Sequence, residues 1–140
     1  MFRVALFLLL LGQIMACRPS LDRLSEDRLH FGTSGGFAGS SRTYIISASN
    51  GKILLHESLT EELSRVGRLN KEGVAEVFRR LESLPDKAGA AANHNAFFQQ
   101  FTDNQLVREI KWAAPSSAPN TATQQLFEDL MAMMRQLNEM

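Results

Sequence analysis

The side chains of this 140-residue chain that could carry chemistry are few: one thiol, Cys17, three histidines, His30, His56 and His94, and Ser34 in the run Gly32-Thr33-Ser34-Gly35-Gly36. A nucleophilic serine needs a base within hydrogen-bond reach and a third group to orient that base. Only His30 lies upstream of Ser34, and no spacing pairs it with a carboxylate. The histidines stand far apart, without the His-x-x-x-His spacing that presents two metal ligands on one helix face. The glycine run would cradle a phosphate if it ended in Gly-Lys-Ser/Thr with a helix opening behind it, but Gly39-Ser40-Ser41-Arg42 leads into a β-branched stretch. The residues therefore read as non-enzymatic, with no metal, no cofactor and no small-molecule ligand.

Cys17 is different, because its surroundings are specific. Arg3 provides a positive start, Val4 to Leu11 is unbroken apolar sequence, and Ile14-Met15-Ala16 sets an aliphatic and a small residue ahead of the cysteine. The apolar run is shorter than the roughly 20 residues a membrane span requires. No second cysteine exists for an intramolecular disulfide. The segment resembles the lipobox of bacterial lipoproteins. That resemblance implies cleavage of residues 1–16, a diacylglyceryl group on the Cys17 thiol and an acyl chain such as palmitate on its new amine. Several acyl chains, at about 0.8 kcal/mol per buried methylene, hold a protein on a bilayer far more firmly than one. Arg18 follows the cysteine, where aspartate is the usual inner-membrane retention signal, so the expected location is the cell envelope at the outer membrane, facing the periplasm or the surface.

Ser34 invites one further comparison. Its run resembles the Gly-Asp-Ser-Gly-Gly stretch of chymotrypsin-like proteases, but threonine replaces the aspartate, and the chain is about half the size of that double barrel.

Loss of the leader leaves one ordinary domain of about 124 residues. Arg3 departs with it, so 14 basic side chains remain against 15 acidic ones, a formal charge of −1. Binding nucleic acid requires a clustered basic surface, which this balance does not supply. Residues 17–28 read as a tether, with 18–28 reaching on the order of 35 Å if extended, and 29–140 as a single domain.

Within that domain, His30–Thr33 suggests a short strand, and Gly35 to Ser41 a turn or bulged crossing. Thr43–Ala48 and Lys52–His56 flank Asn50-Gly51, the dipeptide suited to a two-residue type I′ hairpin. Ser64–Leu69 is a further strand, weakened by Gly67. Val74, Val77, Phe78, Leu81 and Leu84 recur at helical spacing after Asn70, a candidate cap, and Pro85 ends the pattern. Phe97, Gln99 and Phe101 alternate as a strand, Asp103-Asn104 forms a second tight turn, and Leu106, Ile110 and Trp112 share an apolar face that Arg108 interrupts. Leu126, Phe127, Leu130, Met133, Met134 and Leu137 mark a closing helix capped by Asn120, Thr121 or Thr123; of its methionines, Met133 and Met134 read as core. The expected fold is α+β: a small, largely antiparallel sheet of four to six strands in hairpins, packed against two amphipathic helices in the order β-β-β-(β)-α-β-β-α.

Ser34-Gly35-Gly36-Phe37-Ala38-Gly39 resembles the glycine-rich segment near the start of emfourin-like proteins, small bacterial inhibitors of thermolysin-type metallopeptidases. The order of elements after it agrees over about residues 29–138. The resemblance implies a protein that fills a peptidase cleft with rigid loops, without a cofactor or turnover. Two segments are candidates for contact, Gly35, Gly36, Phe37, Ala38 and Gly39, and the tip around Asn50 and Gly51. Two functions are expected in consequence: a lipid-anchored envelope module that binds another protein, or an emfourin-like inhibitor.

Overall fold

The computed structural model describes residues 24–86, 89, 92–114 and 118–140. The leader, Cys17 and residues 18–23 lie outside these. Six strands, β1 (Arg28–Gly35), β2 (Ser40–Ser47), β3 (Lys52–Glu57), β4 (Glu62–Arg68), β5 (His94–Thr102) and β6 (Gln105–Ala113), form one antiparallel sheet in the order β4-β3-β2-β1-β5-β6. Helix α1 (Lys71–Glu82) links β4 to β5, and α2 (Thr121–Glu139) follows β6. The fold is α+β, as the patterning predicts.

Strand alternation sorts side chains into two faces. Leu29 and Phe31 of β1, Tyr44 and Ile46 of β2, Ile53 and Leu55 of β3, Ala96 and Phe98 of β5, and Ile110 and Trp112 of β6 share one face, and all are buried. Both helices lie there. Val77 and Leu81 of α1 and Leu126, Leu130 and Met134 of α2 complete a single core. Phe127 meets Trp112 edge-on at 5.3 Å and Phe98 at 5.9 Å between ring centroids, the arrangement aromatic quadrupoles favour. Gly67 eases the approach of α2 to β4: a Cβ there would come within 3.3 Å of the end of the Leu137 side chain, which would have to shift by a few tenths of an ångström. The residue that weakens the strand pattern thus makes room for α2.

Asn70 and Asn120 cap the helices, accepting from the backbone N–H of Gly73 at 2.8 Å and Thr123 at 2.9 Å. Of the three cap candidates for the last helix, Asn120 fills the position.

Of the two expected tight turns, Asp103-Asn104 forms one and Asn50-Gly51 does not. Asp103 and Asn104 both have positive φ, 51° and 60°, as a type I′ turn demands. At Asn50-Gly51 only Gly51 is left-handed, φ 69°, and its N–H donates to Ser47 O at 3.0 Å, closing a longer loop. The Asn50 carboxamide is engaged instead, accepting from Lys52 N at 2.9 Å.

Leu106 also departs from its expected face. The β5–β6 register shifts between Gln100 and Phe101, so Leu106 pairs with Phe101 on the side away from the helices and is half exposed. The domain begins earlier than position 29. Ser25–Asp27 are tied down: Glu26 O accepts from Asn104 N, Asp27 O from Ala48 N, and Ser25 O from Arg28 Nη1.

Candidate protein-interaction site

The glycine-rich run turns the chain between β1 and β2. Gly35 pairs with Ser40 across the hairpin and with His94 on β5, and its left-handed φ of 95° comes with a tight fit, since a Cβ would stand 2.0 Å from Asn93 O. Beyond it, Gly36 donates to Asn93 O at 2.6 Å and Gly39 to Gly36 O at 3.1 Å. Gly36 and Gly39, with φ of 83° and 60°, face open space. Phe37 and Ala38 sit between them, and the Phe37 ring touches almost nothing of its own chain, at 113% relative exposure. A phenyl ring held in water forgoes roughly 1.5–3 kcal/mol of burial. The base beneath it is rigid, because β1 is hydrogen-bonded on both sides through eight paired positions.

The second candidate loop is elsewhere. Arg28 pairs with Ser47 at one end of β1 and Gly35 with Ser40 at the other. The Asn50-Gly51 loop therefore lies at the near end, where the chain enters the sheet, and Phe37 at the far end, about 25 Å away. No single contact surface includes both. Gly51 is moreover buried: Leu69 N donates to its carbonyl at 2.9 Å, and a Cβ would press on Leu69 O. It joins the β2–β3 loop to the start of α1, leaving Asn50 as the exposed member of the pair.

At the far end the sequence reading missed Leu59. It lies in the β3–β4 turn, 70% exposed, in Glu57-Ser58-Leu59-Thr60-Glu61-Glu62. Ser58 N donates to Ser41 O at 3.0 Å, and Ser41 N to Ser58 Oγ at 2.7 Å, which fastens this turn beside the Gly39–Ser41 return of the tip. The available signal was a lone leucine among turn residues.

His30 and His56 share the face without helices, whereas His94 projects at the far rim. Arg28 Nε donates to His30 Nε2 at 3.0 Å, the imidazole lies 4.6 Å from the Phe101 ring, and the Arg28 guanidinium sits 4.3 Å above that ring. Burial first, then the charge of Arg28 and the proximity of His56, hold His30 down at about 4. It is neutral at ordinary pH, and the donation from Arg28 Nε assigns its proton to Nδ1. Ser34 lies on the same face, four residues or roughly 13 Å along β1, with Ser41 and Asn95 as its cross-strand partners.

On this face Ser34, Ser41, Thr43, Phe97, Gln99, Glu109 and Lys111 line a depression of about 230 Å³. This is smaller than an ordinary ligand cavity. Among the described residues no group of three His, Cys, Asp or Glu side chains is placed to hold a metal, and no helix is long and apolar enough to cross a membrane.

No protein-family model, curated protein or solved structure matches the chain.

Proposed function

We infer that this is a lipid-anchored module of the bacterial cell envelope, without chemistry of its own, that binds another protein at the end of its sheet remote from the membrane. The observation that carries the reading is the opposition of two ends. Ser25–Asp27 are pinned to the near end, so residues 18–24 leave at most about 25 Å between Cys17 and the domain. At the far end Phe37 stands free on a rigid hairpin. An anchor at Cys17 holds the near end toward the bilayer and turns the tip outward. A pre-formed tip loses little conformational entropy on docking, which favours its use as a contact.

The test has two parts. Mass spectrometry of the natively produced protein is expected to show Cys17 as the first residue, bearing diacylglycerol and an acyl chain. Reconstituted in vesicles, the acylated protein is expected to retain a specific envelope protein that a Phe37→Ala variant releases. A bare thiol or an intact leader removes the anchor; equal retention by the variant removes the tip.

A second reading is emfourin-like inhibition of a thermolysin-type metallopeptidase. It is favoured by one coincidence: the segment Ser34–Gly39 that carries the resemblance is the projecting tip. Titration against a panel of thermolysin-like enzymes decides it, and undiminished activity at micromolar protein rejects it.

A further inference from the structure

Two neighbouring hairpins project at the far end, beside Asn93 and His94, and their properties together are more specific than those of either alone. Among the described residues Phe37 and Leu59 are the exposed large apolar side chains of these turns, which the paired Ser41–Ser58 bonds fasten to each other. The tip from Gly35 to Ser41 carries no charge, while the turn beside it is acidic. Glu57 and Glu62 lie directly opposite each other in the β3–β4 ladder, an unfavourable like-charge pairing, and Glu61 takes a left-handed φ of 51° that glycine would adopt more readily. Arg42 approaches Glu57 at 3.4 Å. Among the described residues Glu61 and Glu62 form no ion pair.

The geometry points to docking of this rim into a partner protein that presents an apolar cavity bordered by basic side chains, with Phe37 and Leu59 entering the cavity and Glu61 and Glu62 meeting the border. The inference rests on the interaction-module reading and adds the chemistry of the partner. Charge decides between occupants. An anionic bilayer surface repels an acidic rim, and a second copy docking through the same patch would set like charges against each other. A basic border relieves the repulsion, and complementarity of this kind steers association as well as selecting the partner.

The experiment uses the full-length acylated protein in the bacterium that makes it, with p-benzoylphenylalanine at position 37, 59, 50 or 106. The expected result is one protein crosslinked from both 37 and 59 and not from 50 or 106. Binding of that protein, once purified, should weaken at least tenfold with Phe37→Ala and with Glu61→Lys/Glu62→Lys, the wild-type affinity falling with salt and the charge-reversed variant losing that dependence. Adducts only with lipid or with a second copy overturn the inference, as does unchanged affinity on charge reversal. Adducts confined to positions 50 and 106 overturn the rim while leaving a protein-binding module standing. No protein adduct from any position overturns both.

Discussion

Arg108 Nη1 donates to the Leu81 carbonyl across 2.5 Å and Nη2 donates to Leu84 O, so a strand arginine closes the C-terminal end of α1. Its Nε lies 2.7 Å from Asp86 Oδ1 as an ion pair outside hydrogen-bond alignment. The arginine that breaks the apolar face of β6 is thus the helix's partner. Positive charge at this terminus also suits the helix dipole.

Arg108→Ala leaves Leu84 O without its side-chain donor, while Leu81 O still accepts from Leu84 N at 3.1 Å, at a cost of about 1–3 kcal/mol. Urea denaturation measures it. Arg108→Lys recovers at most half, because an ammonium cannot reproduce the guanidinium fork. A loss below about 0.5 kcal/mol for the alanine variant would contradict the capping role.

His30 makes stability depend on pH with a definite sign. Its folded-state value of about 4 lies below the ordinary 6.5, so the unfolded chain binds the extra proton across that interval. The contribution is complete above pH 6.5 and is lost as the pH falls toward 4, amounting to at most about 3 kcal/mol. Thermal unfolding of the wild type and His30→Gln between pH 7 and 4 isolates it from the carboxylates. Parallel curves for the two proteins would refute it.

Gly32 and Gly36 separate two reasons for a glycine. A Cβ on Gly32 would lie 2.0 Å from Arg42 O, against the backbone of β2, whereas Gly36 faces open space and bears only its left-handed φ. Gly36→Ala should cost about 1–2 kcal/mol. Gly32→Ala should cost clearly more, enough to shift the melting temperature further than the Gly36 variant or to prevent folding. Equal melting temperatures would argue against the tight β1–β2 approach.

Much of this architecture is legible in the residues, and the misses have definite causes. The stripe Leu126, Leu130, Met134 reports burial on one face, which periodicity encodes directly, whereas Phe97 and Phe98 are both buried on opposite faces of β5, so alternation marks the strand there and not the core face. The turn at Asn50-Gly51 departs from its dipeptide preference because tertiary contact competes: Gly51 is held by Leu69, so the loop conformation is set from outside. Leu106 was misplaced because a bulge shifts parity without a strong local mark. The separation of the two candidate loops follows from β2 itself, since a strand that runs from one turn to the next sets them at its opposite ends. Leu59 belongs to the site only through the Ser41–Ser58 pairing, a contact between hairpins.

The methionines of α2 divide sharply. Met134 is fully buried against the sheet, while Met140 is 95% exposed at the chain's end. Met134→Ala should cost about 2–5 kcal/mol and Met140→Ala a few tenths at most, compared by chemical denaturation. A comparable loss at both would mean the helix end packs against something further.

β1 lies in the interior of the sheet, bonded to β2 and β5, and it is the first strand the chain forms after Ser25. If Cys17 carries the proposed anchor, a pull on the chain before Ser25 loads the middle of the domain rather than a margin, and extracting β1 means shearing two ladders at once instead of peeling one. With a partner gripping Phe37, tension would run along eight residues of a single strand and spare the helices, making the domain a stiff strut between the two attachments.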